Sequence, residues 1–119
     1  MSAFPLPHFS TDLSGQVAFV TGTTSGLGKR FAKVLAACGA KVALTGRRVE
    51  KLHELAEEIR DDGGTCTPIA IDMTDRASIR SALSQAEQEL GIVTVLINNA
   101  GIPDAQRAVR MTDELIDAV

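Results

Sequence analysis

The residues of this chain best suited to chemistry are Thr21-Gly22-Thr23-Thr24-Ser25-Gly26-Leu27-Gly28, a run of glycines and small hydroxyl residues. The run follows the apolar stretch Val17-Ala18-Phe19-Val20 and opens a segment of helical periodicity. It therefore reads as the turn from a buried strand into a helix. Such a turn binds phosphate. Gly22 can take backbone angles that side chains forbid, Gly26 lets a bulky anion approach the main chain, and Gly28 lets the helix lie close to the strand. The N–H groups of the first helical turn, aligned with the helix dipole, then face a pyrophosphate.

A second set of residues bears on which nucleotide such a turn would serve. A dinucleotide site for NAD commonly carries an acidic residue about twenty positions further on, where it accepts hydrogen bonds from the ribose 2′-hydroxyl. Here that place reads Thr45-Gly46-Arg47-Arg48. It has no carboxylate to repel a 2′-phosphate, and Arg47 offers one a forked guanidinium, so NADP is expected in preference to NAD. The alternative is that Arg47 and Arg48 are solvated residues opening a helix, where positive charge opposes the dipole. Lys29 and Arg30 read as solvated charge on a helix face, and His8 and His53 receive no role. Cys38 and Cys66 form neither a Cys-x-x-Cys pair nor a metal cluster with histidine, and read as reduced core residues. No metal site is expected.

The elements that must position these residues follow from periodicity. Leu27, Phe31, Val34, Leu35 and Cys38 trace the apolar stripe of a first helix, with Gly39 as its stop. Lys41 to Thr45 is a second strand, and Val49, Leu52, Leu55, Ala56 and Ile59 mark a second helix ended by Gly63-Gly64. Thr65 to Ile71 is a third strand, and Pro68, which has no N–H to give, places it at a sheet edge. Thr74 caps a third helix whose inner face is Ile79, Leu83, Ala86 and Leu90. Ile92 to Ile97 is the fourth strand, and Thr112 caps a last helix. This alternation predicts an α/β fold, a doubly wound parallel sheet of Rossmann type with strand order 3-2-1-4. A ligand then binds where the order reverses, between strands 1 and 4 at their C-terminal ends.

Composition bounds the rest. The 119 residues make at most one domain, residues 15–119, behind a tail of residues 1–14 in which Phe4 and Phe9 touch the body or a partner. With 45% hydrophobic residues a real core is available, and a net charge of −3 argues against nucleic acid and anionic membranes as partners. No apolar run reaches the roughly 18 residues of a membrane span. Residues 1–8 lack the basic start and apolar centre of a signal peptide, so the cytoplasm is the expected compartment.

Two motifs at fixed places in this alternation carry a resemblance. Thr21-Gly22-x-x-x-Gly26-x-Gly28 after the first strand, and Asn98-Asn99-Ala100-Gly101 after the fourth, resemble the hallmarks of the short-chain dehydrogenase/reductase family over nearly the whole chain from about Leu13. The resemblance implies an NADP(H)-dependent oxidoreductase that moves a hydride between nicotinamide and a carbonyl or secondary alcohol of a small molecule. A 3-oxoacyl thioester, a sugar, a steroid or a simple alcohol would all serve. It implies cofactor contacts at Thr21, Gly22, Thr24, Ser25, Gly26, Leu27 and Gly28, at Arg47, at Asp72 and Met73, and at Asn99, Ala100 and Gly101. Asp72 would accept a hydrogen bond from the adenine amino group, or else serve the third helix as a cap; Asn98 is equally suited to tying strand 4 to a neighbour.

The family's catalytic Ser and Tyr-x-x-x-Lys have no counterpart, since the sequence contains no tyrosine. Ser78, Ser81 and Ser84 fall in the helix before strand 4. By this resemblance the chain is the cofactor-binding half of such an enzyme, cut before strand 5, with no catalytic residue and inactive alone. Oligomer contacts are then expected only with the second half present. The competing readings are a non-catalytic dinucleotide-binding or redox-sensing module, and an unstable relic with strand 4 as an uncovered edge.

Overall fold

The computed structural model describes residues 11–99. The tail with Phe4, His8 and Phe9, the motif residues Ala100 and Gly101, and the helix expected at Thr112 lie outside the described residues. Seven elements follow in order: β1 (Val17–Val20), α1 (Gly26–Ala37), β2 (Lys41–Gly46), α2 (Val49–Asp61), β3 (Thr65–Ala70), α3 (Arg76–Leu90) and β4 (Val95–Ile97).

The strands form one parallel sheet in the order β3-β2-β1-β4, as the alternation predicts. Pro68 stands opposite Leu44 on β3, the edge strand, where its missing N–H costs no ladder bond. Along β1 the pleat divides the core. Val17 and Phe19 pack with Ile79, Leu83 and Ala86 of α3, whereas Ala18 and Val20 pack with Ala32 and Ala36 of α1 and Leu52 and Leu55 of α2. Both faces of the sheet are therefore covered, which is why the central β1 reads as an unbroken apolar run.

Three local expectations need correction. The large apolar stripe of α1 is not its inner face. The buried residues are Gly28, Ala32 and Ala36, whereas Leu27 (59%), Phe31 (37%) and Val34 (46%) are exposed; Leu35 packs partly against the core. Spacing of four carries the close approach at Gly28 along the helix through two alanines, so the axis lies too near the sheet for large side chains beneath it. The cap of α3 is Asp75, whose carboxylate accepts from Ala77 N at 3.0 Å, not Thr74. Strand β4 begins at Val95 rather than Ile92, which is 76% exposed. The Thr94 hydroxyl accepts the Val17 N–H at 3.0 Å, a side chain taking the place of a ladder carbonyl.

The small-residue face of α1 yields a direct test. Ala32→Leu overpacks that face and costs about 1–3 kcal/mol, whereas Val34→Ser on the same helix stays within about 0.5 kcal/mol. Urea unfolding of the 119-residue chain, followed by far-UV circular dichroism, measures both.

Candidate functional site

The turn after β1 has the shape of an anion cradle. Gly22 has φ +65°, the left-handed conformation that glycine alone takes without strain. A Cβ on Gly28 would run into the Gly22 carbonyl oxygen and lie 2.6 Å from Asn99 Nδ2, whereas one on Gly26 would meet nothing within 4 Å. One glycine is thus needed for packing, while the other leaves open space above the main chain. Ser25, at the N-cap position of α1, makes no side-chain cap to the helix. Its hydroxyl instead donates to the Gly22 carbonyl at 2.8 Å, which leaves the first turn without a side-chain cap, as an anion site requires.

Two buried side chains lock this turn to both neighbouring strands. The Thr21 hydroxyl donates to Asn98 Oδ1 at 3.0 Å and accepts from Asn99 N at 2.8 Å, while Thr21 N donates to the Ile97 carbonyl at 2.9 Å. Asn98 therefore ties β4 to β1, the structural role left open by its sequence. Asn99 Nδ2 donates to Ser25 Oγ at 3.2 Å, so both conspicuous turns meet at the switch in strand order. On the other side, Thr23 donates to the Thr45 carbonyl through both N (3.1 Å) and Oγ1 (2.9 Å), and the Thr45 hydroxyl donates to the Val20 carbonyl at 2.7 Å. All three threonines are fully buried. The tie between Thr23 and Thr45 escaped the sequence reading; the only signal was Thr45, a hydroxyl residue at the end of an otherwise apolar strand.

Beyond Thr24 the cleft opens into a cavity of about 790 Å³, lined by Thr24, Ser25, Arg47 and Arg48. Among these lining residues there is no carboxylate. Arg48 lines it together with Arg47. A second cavity of about 340 Å³ is lined by Arg47, Ala70, Ile71, Asp72 and Ser78, which places Arg47 between the two. Asp72 serves no helix cap. Its Oδ1 accepts from the Thr74 hydroxyl at 2.7 Å and from Thr74 N at 3.0 Å, and Asp72 N donates to Ser78 Oγ at 2.9 Å. The two bonds from Thr74, the hydroxyl first, hold the exposed Asp72 carboxyl below its usual range, and the Arg47 charge acts in the same direction.

Met73 does not turn its side chain to the cleft. It is 9% exposed and packs in the core with Ile71 and Ile79, so only its main chain is left for a ligand. Leu27, by contrast, is exposed beside the turn. Lys29 pairs with Glu58 of α2 at 3.5 Å, and Lys33 joins it at 3.1 Å, so this charge serves the helix surface. Among the described residues no cluster suited to a metal occurs, and no helix is long and apolar enough to cross a membrane.

Known proteins supply the family. The sequence profile of the short chain dehydrogenases matches residues 16–119. The chain belongs to this family of oxidoreductases. It is 42% identical over 95 residues to a short chain dehydrogenase of Pseudocercospora fijiensis, a match covering 80% of this chain and 31% of that protein. Its fold superimposes on a hydroxysteroid dehydrogenase from Escherichia coli with a TM-score of 0.84 and 28% identity, over 92% of this chain and 52% of that one. A metagenomic short-chain oxidoreductase crystallised with NADP gives a TM-score of 0.79 at 33% identity, over 92% and 56%. The chain thus spans about a third of that curated short chain dehydrogenase and about half of these solved structures.

In this chain the Asp72 turn titrates in a testable way. A carboxyl whose pKa is lowered on folding contributes stability above its unfolded-state pKa, and that stability is lost as pH falls through the lowered value. Thr74→Val removes the hydroxyl donor and moves the Asp72 pKa up toward the ordinary carboxylate range, as read from the carboxyl carbon resonance in an NMR titration.

Proposed function

We propose that these 119 residues are the cofactor-binding part of an NADP(H)-dependent short-chain oxidoreductase. The observation that carries this reading is the cavity beside the glycine turn, where Arg47 and Arg48 stand with Thr24 and Ser25 and the described lining has no carboxylate. The residues suit the cofactor part by part. The open space over Gly26 and the first turn of α1 would take the pyrophosphate, with Thr21, Gly22 and Leu27 shaping the turn around it. Arg47 and Arg48 would hold the 2′-phosphate. Asp72, which spends Oδ1 on Thr74, would present Oδ2 to the adenine amino group in the cavity it shares with Arg47. Asn99, held to Ser25, would border the ribose side of the cleft with Ala100 and Gly101.

The nicotinamide gives or takes the hydride when the cofactor is bound. The chain's own part is to bind and orient it. A proton donor of the family's Tyr-x-x-x-Lys type is absent from these 119 residues, which contain no tyrosine. The substrate, a small carbonyl compound or secondary alcohol such as a 3-oxoacyl thioester, would meet the nicotinamide on polypeptide beyond these residues, and homo-oligomer contacts would lie there too. The cytoplasm is the compartment proposed for this acidic chain.

Fluorescence titration measures the preference directly, with NADPH binding more tightly than NADH. A charge-assisted hydrogen bond contributes roughly 1.5–3 kcal/mol, so Arg47→Ala should weaken NADPH about ten- to a hundredfold and leave NADH nearly unchanged. Equal affinities in the unaltered chain remove the case for NADP. A steady-state assay of the 119 residues with NADPH and a panel of ketones should give no turnover, and measured turnover would refute the assignment of the chemistry to another segment.

A further inference from the structure

The end of β2 bears on cofactor choice through space as well as charge. Gly46 has an ordinary backbone conformation, for it is not among the glycines with positive φ. Conformation therefore does not demand glycine here. Room is tight instead: a Cβ built on Gly46 would lie 3.2 Å from Cγ2 of Thr24 and 3.3 Å from Cδ2 of Leu52. Both separations are inside the optimum of about 3.5–4.0 Å between carbon atoms.

Neither neighbour yields freely. Leu52 is 1% exposed and belongs to the core shared by α1, α2 and the sheet. Thr24 is half-buried and β-branched, with one stiff torsion to move its methyl group. It is also anchored at its base, because the adjacent Thr23 holds the Thr45 carbonyl through both N and Oγ1. The phosphate turn and the end of β2 are thereby fixed relative to one another, and an added side chain at position 46 pushes on the turn itself.

We propose that Thr24 is a specificity-determining residue of this site: its γ-methyl group keeps position 46 bare, and thereby keeps out the carboxylate that would hold a ribose 2′-hydroxyl and repel a 2′-phosphate. The proposal rests on the dinucleotide reading of the cleft. It adds to that reading a steric link between the residue that borders the phosphates and the residue that selects the adenosine end. A side chain at 46 and the γ-methyl group of Thr24 compete for the same space. Acidic exchange at Gly46 alone is then a poor route to NADH binding, and the exchange succeeds only when the methyl of Thr24 is removed with it.

A double-mutant cycle on the full 119-residue chain tests this, with NADPH binding read by fluorescence titration and thermal unfolding read without nucleotide. Gly46→Ala adds one methyl group and no charge, and should weaken NADPH binding about tenfold; in the Thr24→Ser background the same exchange should cost no more than about twofold. Equal penalties in the two backgrounds place the clash on Leu52 and overturn the role of Thr24. In the NADH arm, Thr24→Ser with Gly46→Asp should bind about tenfold more tightly than Gly46→Asp alone; equal NADH affinities again count against it. If the unaltered chain binds neither nucleotide, the dinucleotide reading fails, and unfolding still decides the steric link. A fall in Tm with Gly46→Ala that disappears in the Thr24→Ser background supports it. A fall, or a loss of folding, that Thr24→Ser does not repair refutes it.

Discussion

At Gly28 the first helix comes so near the Gly22 carbonyl that no side chain fits between them, and Asn99 closes the gap from the far side. Most of the cleft's geometry depends on this approach. It sets the distance of α1 from the sheet, and so confines the helix's inner face to Gly28, Ala32 and Ala36. It also directs the N-terminus of α1 to the C-terminal end of β1, at the switch in strand order between β1 and β4, with the helix dipole directed there and no side-chain cap on the first turn.

Such an approach needs a rigid surround, and buried threonines provide it. Thr21 joins the turn to the residues after β4, and Thr23 with Thr45 join it to the end of β2. Each hydroxyl satisfies a backbone or amide group that would otherwise be costly to bury. The cavity lined by Arg47 and Arg48 and the open space above Gly26 therefore lie on one fixed frame. That frame also sets Thr24 close to the bare Cα of Gly46.

The architecture was legible in the sequence because the order of short apolar runs and amphipathic stretches leaves few ways to cover both sheet faces. Pro68 assigned the edge strand by a missing hydrogen bond, and two glycine-bearing motifs marked the switch in strand order. The helix faces were less legible. Leu27, Phe31 and Val34 have the hydrophobic spacing of a core stripe, yet close packing at Gly28 turns the small residues inward. Thr74 looked like a cap by residue type, but Asp75 took the role and Thr74 was drawn to Asp72.

Chemistry that depends on residue type and local order belonged to the sequence itself: a phosphate turn, a missing carboxylate followed by two arginines, and no tyrosine. These are properties of neighbours along the chain, fixed by backbone freedom and by charge. Tertiary structure alone decided what meets across the sheet. It brought Arg48 and Arg47 to one cavity, sent Met73 into the core, placed Ser78 behind Asp72, and set Thr24 and Leu52 against the bare Cα of Gly46. Thr24 and Gly46 are far apart in sequence, and no pattern along the chain reports the ångströms between them. That separation is set by how closely a helix, a strand and two buried hydroxyl groups can pack.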